Sequence, residues 1–204
     1  MPRTVADQLA DVLVAAGVRR IFGTAGDNMI WLAHAIQRQG KLQWVPMQHA
    51  EVAAFAATTE ARLTGELAVC AASCGPGNLR LTDVLFDCHR SHVPVLAIVA
   101  PPPVDIGSIH FPEPNLQDLF GDCSHYSKLV SAPNQMRHVL ETAIREAVGE
   151  HGVSVVVLPG EIACQPAPDA SPREVTNLLP PIPVVTLAQT HRKQSAAMPR
   201  VTSC

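Results

Sequence analysis

The sequence predicts an α/β fold, with a doubly wound, mainly parallel sheet of about six strands and helices on both faces. Two observations lead to this fold class. Short apolar runs alternate with segments of helical periodicity along most of the chain. Most of these runs are continuously apolar, which is typical of parallel strands that are buried on both sides.

The order of elements follows from ordinary start and stop signals. Thr4 is expected to cap a first helix that runs to about Ala16, and Gly17 ends it. Residues 26–28 are predicted to cap a second helix that Gly40 closes. Further helices are expected at residues 50–65, from 74–78 to about 88, at 116–119 and at 133–150. The predicted strands are residues 20–23, 42–47, 67–72, 93–100, 126–130 and 153–158.

Composition excludes several classes of protein. The 204 residues are 47% apolar and 16% charged with a net charge of −3, which indicates a real core and no nucleic-acid partner. No apolar window is long enough to predict a membrane segment, and no signal peptide is recognisable, so a cytoplasmic location is expected. The six cysteines include no Cys-x-x-Cys pair and are expected to be reduced. His89 and His92 fall at a predicted helix end, so no metal site is predicted there.

The chain divides into three parts. Residues 1–165 are predicted to form the folded domain, and the proline-rich residues 166–186 a linker. Residues 187–204 show no periodicity and are expected to be a disordered tail. Within the domain, the long loop before Gly121 is expected to be functional or mobile, because loops of that length are uncommon in compact domains.

One carboxylate, Glu51, stands in the almost wholly apolar run 50–57, which predicts a buried helix. Because a buried ionised carboxylate is costly without a partner, Glu51 either finds a cation or keeps its proton. A protonated Glu can donate a hydrogen bond, which suits acid–base chemistry. The alternative is an ordinary acid in the first turn of a helix, where the helix dipole favours negative charge.

Three turns fall where predicted strands end, which is where ligands bind on doubly wound sheets. They are residues 23–27, 49–51 and 73–78. In the third turn the glycines let a ligand approach a helix start with free amides, although a tight strand-to-helix turn explains them equally well. Arg80 stands where a dinucleotide fingerprint would need its third glycine. Cys74 has no identifiable partner base, so a structural thiol is favoured over a reactive one.

Several segments together resemble the thiamine-diphosphate-dependent 2-oxo acid enzymes. They are His-Ala-Glu-Val-Ala-Ala-Phe-Ala-Ala at 49–57, Cys-Gly-Pro-Gly-Asn at 74–78 and Leu-Phe-Asp-Cys-His-Arg-Ser-His-Val-Pro-Val-Leu-Ala-Ile at 85–98. Residues 122–126 and 152–160 are most similar to the branch of quinone-dependent pyruvate dehydrogenases (pyruvate oxidases), rather than to the acetolactate synthases. The resemblance extends from about residue 4 to residue 186.

The resemblance implies that residues 1–165 bind the aminopyrimidine ring of thiamine diphosphate, with Glu51 as the catalytic residue. In the family this carboxyl group hydrogen-bonds a ring nitrogen and so helps to remove the thiazolium proton, after which the cofactor carbanion attacks pyruvate and carbon dioxide leaves. Gly26 and Asp27 would line the substrate side. Phe111 matches an aromatic residue near the reaction centre and the flavin, unless it is an ordinary loop anchor. The residues implied near the pyrimidine are Gly75, Pro76, Gly77 and Asn78.

The resemblance also implies that the chain is truncated and inactive alone. Full-length members add a central domain, which binds FAD in this branch, and a C-terminal domain that holds the diphosphate through Mg. The Gly-Asp-Gly signature of that domain is missing here, so only the pyrimidine half of the cofactor site is expected. Thr58 and Thr59 stand where the family usually has small residues in the Glu51 helix. Small residues there let the helix pack closely against a second subunit, so the two threonines put the expected geometry of a homo-oligomer in doubt. The alternatives are one subunit of a split 2-oxo acid decarboxylase, completed by a partner chain, or a non-catalytic partner of full-length subunits.

Overall fold

The computed structural model describes residues 3–24, 26, 29–103 and 114–168. Within them, six strands form one sheet: β1 Arg20–Thr24, β2 Gln43–Met47, β3 Ala68–Ala72, β4 Val95–Val99, β5 Tyr126–Leu129 and β6 Val153–Val157. The helices are α1 Val5–Ala15, α2 Ile30–Gln39, α3 Ala50–Thr64, α4 Pro76–Arg90, α5 Leu116–Leu119, α6 Met136–Gly149 and α7 Gly160–Ala163. Short 3₁₀ turns at Gly121–Cys123 and Pro133–Gln135 precede β5 and α6.

The sheet has the strand order β2-β1-β3-β4-β6-β5, and every neighbouring pair of strands is parallel. Helices α1, α2, α6 and α7 pack on one face of the sheet, and α3, α4 and α5 pack on the other. The strands β3, β4 and β6 are buried throughout because both of their faces are covered. The predicted doubly wound α/β fold is therefore confirmed.

The strand order creates a crevice at the carboxyl ends of β1 and β3. The chain runs from β1 outward to β2 and then returns to β3 on the other side of β1. In open α/β sheets, ligands bind at such a reversal. The connections that follow the two adjacent strands run to opposite sides, so a crevice is left between them at the carboxyl ends of the strands. The three turns singled out in the sequence follow β1, β2 and β3, so all of them lie at this edge of the sheet.

Most elements lie within one or two residues of their predicted bounds, and three differ more. Helix α6 begins at Met136 and not at Pro133, because Pro133–Gln135 form a 3₁₀ turn. Helix α2 begins at Ile30 after Met29, whose N–H donates to the Gly26 carbonyl at 2.9 Å, so it starts later than expected. Helix α7 was not predicted, because four residues are too few to show a period. The predicted site residues Asp27 and Phe111 lie outside the described residues, as does nearly all of the predicted linker and tail.

The expectation that the Glu51 helix is buried is only half right. The alanines of α3, from Ala50 to Ala61, form the buried face and pack against the sheet and α4. The larger apolar side chains point outward, with Val52 and Phe55 about half exposed and Leu63 82% exposed. A helix lying on one face of a sheet buries only one stripe, and in α3 the smallest residues occupy that stripe.

The two ends of the described domain lie side by side. The N–H of Val5 donates to the Gln165 carbonyl at 2.9 Å, and the N–H of Ala167 donates to the Arg3 carbonyl at 2.8 Å. These two bonds flank an antiparallel bridge between Thr4 and Pro166. The division at residue 165 stays a prediction. No helix in the described part of the chain is long and apolar enough to cross a membrane.

Candidate functional site

Glu51 lies in the first turn of α3, directly after β2 and its connecting turn. Its side chain is 32% exposed, so it is neither buried nor free in solvent. Oε1 accepts a hydrogen bond from Nη1 of Arg80 at 3.3 Å. Oε2 is buried and has no hydrogen-bond partner among the described residues. One carboxylate therefore presents a paired outer oxygen and an unpaired inner oxygen, and a buried acceptor left unpaired costs free energy until a donor arrives.

Arg80, on the second turn of α4, is the cation that Glu51 finds. Its Nη1 also lies 3.3 Å from Nδ1 of His49, the residue that precedes α3, so one guanidinium nitrogen contacts two side chains at the beginning of α3. Sequence reasoning left open whether Glu51 pairs with a cation, and it did not single out Arg80 as the partner. The two residues are 29 positions apart, and only the packing of α3 against α4 brings them together.

Gly75 and Gly77 shape the start of α4 in different ways. Gly75 has φ +76° and ψ −136°, a backbone conformation that residues with a Cβ rarely adopt. It turns the chain sharply from β3 into the helix, which Pro76 then begins in its favoured first position. A Cβ added at Gly77 would meet no atom within 4 Å, so the first turn of α4 faces open space. Gly75 thus serves the turn, and Gly77 leaves room beside it.

Asn78 has a structural contact that the sequence did not reveal. Its side chain is fully buried, and Nδ2 donates a hydrogen bond to the Ala100 carbonyl at 3.0 Å. Because Ala100 directly follows β4, this bond fastens the first turn of α4 to the carboxyl end of the neighbouring strand. We therefore expect Asn78 to hold the helix start in place, whether or not it also contacts a ligand.

Gly26 belongs to the crevice because it lies against Ser73. A Cβ added at Gly26 would lie 2.8 Å from Oγ and 2.9 Å from Cβ of Ser73. The turns after β1 and β3 therefore approach each other as closely as a glycine allows. Gly26 and the Ser73–Gly75 turn are brought together, as the strand-end argument predicted, while Glu51 reaches α4 through Arg80.

The cysteines near the site are structural in character. Cys70 in β3 and Cys88 in α4 are fully buried, and burial raises the pKa of each thiol above its usual range. Cys88 contacts Thr58, whose hydroxyl also donates to the Ala54 carbonyl at 2.7 Å. Thr58 therefore packs inside the domain and does not occupy a surface for another subunit. Within the described residues, no three His, Cys, Asp or Glu side chains form a group that could hold a metal ion.

Together these features define an α/β domain whose glycine-rich turns and unpaired carboxylate oxygen meet at a topological switch point. Its ligand should carry a hydrogen-bond donor for Oε2 of Glu51 and approach the glycine-rich start of α4.

Comparison with known proteins identifies the family. Residues 3–121 match the family described as thiamine pyrophosphate enzyme, N-terminal TPP binding domain, and the chain belongs to it. It is 54% identical over 160 residues to an uncharacterized 42.6 kDa protein of Pseudomonas amyloderamosa, covering 78% of this chain and 40% of the relative. It is 33% identical over 159 residues to a pyruvate oxidase of Lactiplantibacillus plantarum, covering 77% of this chain and 26% of the relative.

Acetolactate synthases are also similar. A probable chloroplastic acetolactate synthase 2 of Oryza sativa is 29% identical over 167 residues, covering 81% of this chain and 25% of the relative. The chain therefore spans no more than 40% of the length of these curated relatives. The predicted resemblance to the thiamine-diphosphate enzymes is confirmed at the level of the N-terminal cofactor-binding domain.

Proposed function

We propose that this domain binds the aminopyrimidine half of thiamine diphosphate, with Glu51 as its catalytic residue, in an enzyme that oxidatively decarboxylates pyruvate. The observation that carries the proposal is the buried, unpartnered Oε2 of Glu51. A protonated ring nitrogen of the pyrimidine is a donor suited to that acceptor. When bound, the cofactor supplies a thiazolium carbon that attacks a 2-oxo acid once its proton is lost.

The residues of this chain would bind the ring and move one proton. Glu51 exchanges that proton with the ring nitrogen through Oε2, while the half-buried position keeps bulk water from competing for the same oxygen. Gly77 leaves space for the ring beside α4, and Gly26, Gly75 and Pro76 complete the crevice wall. Asn78 holds this wall to β4. Asp27 and Phe111 stay proposals from the resemblance.

Two observations favour pyruvate as the substrate. The pyruvate oxidase relative is 33% identical, and the branch-specific segments at 122–126 and 152–160 point in the same direction. The acetolactate synthase relatives, at 29–30% identity, favour a different reaction of the same cofactor class. FAD and Mg would be held by the central and C-terminal domains of such an enzyme, and not by the residues described here.

The binding proposal is tested by titrating the chain with thiamine, which carries the aminopyrimidine without the diphosphate. Glu51→Gln removes the anionic acceptor, so we expect affinity to fall about 10–100-fold, the range for a hydrogen bond to a charged group. Glu60→Gln is the matched control, because Glu60 lies on the same helix and also pairs with an arginine, Arg20, at 3.0 Å. Equal affinity of wild type and Glu51→Gln would contradict the assignment of Glu51.

We further propose that the diphosphate half of the site comes from another subunit, which docks on the α3–α4 surface. This surface consists of the exposed apolar side chains of two neighbouring helices, Val52, Phe55, Leu63, Leu79 and Phe86. Their spacing places those of α3 on one stripe and those of α4 on another. Glu51 lies at the beginning of the same helix, so a docked partner would lie next to the crevice.

The size of the α3–α4 surface suits a subunit interface. Taking about 150–250 Å² for a large apolar side chain, the exposed fractions amount to roughly 500 Å². A standard interface covers about 800 Å² per partner, of which a little over half is apolar, so roughly 450 Å² is needed. The occupant that would supply the diphosphate half is a partner chain that carries the diphosphate-binding domain. A second copy of these 204 residues, which contain no Gly-Asp-Gly, could cover the surface but would not supply that half. The non-catalytic alternative, pairing with full-length subunits, uses the same surface.

Self-association tests the second copy. Light scattering during gel filtration at high concentration is expected to give a dimer for wild type and a monomer for Leu63→Glu. The control is Leu129→Glu, because Leu129 is 39% exposed on the edge strand β5 and does not belong to the α3–α4 surface. A wild-type monomer at high concentration would contradict self-association through this surface.

A further inference from the structure

We infer that Arg80 is the positioning residue for Glu51: it holds Oε1 at the outer side of the carboxylate so that Oε2 stays buried as the acceptor for the aminopyrimidine. This inference rests on the proposed function of Glu51 and adds to it a residue that neither the family match nor the relatives assign. It explains how a half-exposed side chain on a helix start keeps one defined orientation.

The contacts form a clamp across the first turn of α3. His49 precedes the helix and makes no side-chain cap bond, so the start is closed by the backbone bond from the N–H of Ala53 to the His49 carbonyl, at 3.1 Å. Nη1 of Arg80 reaches Nδ1 of His49 and Oε1 of Glu51, each at 3.3 Å. The first turn of α3, with its carboxylate, is therefore held from α4 at two points.

The contact of Arg80 with Oε1 fixes the orientation of Oε2. A carboxylate free to rotate presents either oxygen to solvent, whereas a carboxylate anchored through Oε1 keeps Oε2 turned inward. Ligand binding then does not have to restrict that rotation, so affinity increases because the carboxylate is already oriented for binding. The guanidinium suits the task because its planar fork is more rigid than a lysine ammonium on a flexible stem.

The remaining charged pairs on α3 and α4 do not perform this role. Arg62 and Arg90 both contact Asp87 at 3.1 Å, in the last turns of the two helices. Among the described residues, the ion pair with Arg80 is the one that Glu51 makes. Arg90 lies on the same helix as Arg80 and also pairs with a carboxylate, although its side chain is more exposed, and it therefore offers a control.

Loss of the clamp should leave the fold intact. The Arg80 side chain is 53% exposed, and an ion pair at that exposure contributes at most about 1 kcal/mol. An effect of that size on binding corresponds to a weakening of up to about fivefold. We therefore expect a chain with wild-type melting behaviour and reduced affinity, and thiamine is the ligand to measure it with.

The experiment is a double-mutant cycle read by calorimetric titration with thiamine. We expect Arg80→Gln to weaken binding about three- to fivefold, Arg80→Lys to restore part of the loss, and Arg90→Gln to have no effect. In the Glu51→Gln background, Arg80→Gln should cause no further loss, because its effect acts through the carboxylate. A loss of the same size in both backgrounds, or no loss in wild type, would overturn the positioning role.

A second readout separates this inference from the proposed function. The side-chain carboxyl resonance of Glu51, followed by ¹³C NMR without ligand, should change in Arg80→Gln and stay the same in Arg90→Gln. If wild type binds no thiamine, the proposed function fails, and the NMR result still decides whether Arg80 holds Glu51. An unchanged Glu51 resonance in Arg80→Gln would overturn the clamp itself.

Discussion

The same substitution by alanine is expected to have different effects on stability at Gly75 and at Gly77, the two glycines at the start of α4. Gly75→Ala places a Cβ on a backbone with φ +76° and ψ −136°, which costs about 1–3 kcal/mol for a residue in so sparsely populated a region. Gly77→Ala places a Cβ where no atom lies within 4 Å, inside a 15-residue helix, so it should be neutral or add up to about 1 kcal/mol.

Urea unfolding followed by circular dichroism measures both changes. With a denaturant slope of about 2 kcal/mol/M, Gly75→Ala should lower the midpoint by about 0.5–1.5 M, and Gly77→Ala should leave it unchanged or raise it. Gly77→Ala should nevertheless weaken thiamine binding, because its methyl group occupies the space proposed for the ring. A wild-type midpoint for Gly75→Ala, or equal destabilisation by the two variants, would refute the reasoning.

Two further predictions concern other parts of the fold. Asn78→Ala should lower the free energy of unfolding by about 1–3 kcal/mol in urea titrations, because it leaves the buried Ala100 carbonyl without its donor, and unchanged stability would contradict this. Burial, and then the nearby His125 and His92, lower the pKa of His89, so the unfolded chain binds this proton more readily and stability should fall as the pH drops below about 6.5. His89→Gln should flatten the dependence of the urea midpoint on pH between 7.5 and 5.5, and an equally steep dependence would refute the role of His89.

The fold was predictable because its signals are local. Buried parallel strands read as continuous apolar runs, and Gly17, Gly40 and Gly65 mark helix ends where a positive φ is needed. What escaped prediction depends on packing. The run of alanines in α3 indicated burial, but a sequence does not show which stripe of an apolar helix meets the sheet. Helix α7 is too short for any periodic signal.

In the candidate site, too, residues with a local sequence signal were predicted, and a residue whose role depends on packing was not. Glu51 stood out because one charge interrupts an apolar run, and the glycines of the α4 start stood out because they follow a strand. Arg80 did not stand out in the sequence, because its contact with Glu51 depends on the packing of α3 against α4, which exists only in the folded chain. The sequence signal was faint: a cation one turn beyond the helix-opening Pro76, on the helix that follows the carboxylate.

The antiparallel bridge between Thr4 and Pro166 has a mechanical consequence. Force applied through both ends of the described domain would act first on the two backbone bonds that join Arg3–Ala167 and Val5–Gln165, and would open them one after the other like a zipper. The parallel sheet, whose strands run behind this bridge, would carry load only after α1 and α7 had peeled away. Because this bridge lies where α1 begins and where the chain leaves the carboxyl end of β6, a pull at both ends would loosen the rim of the domain at the same edge of the sheet that holds the crevice.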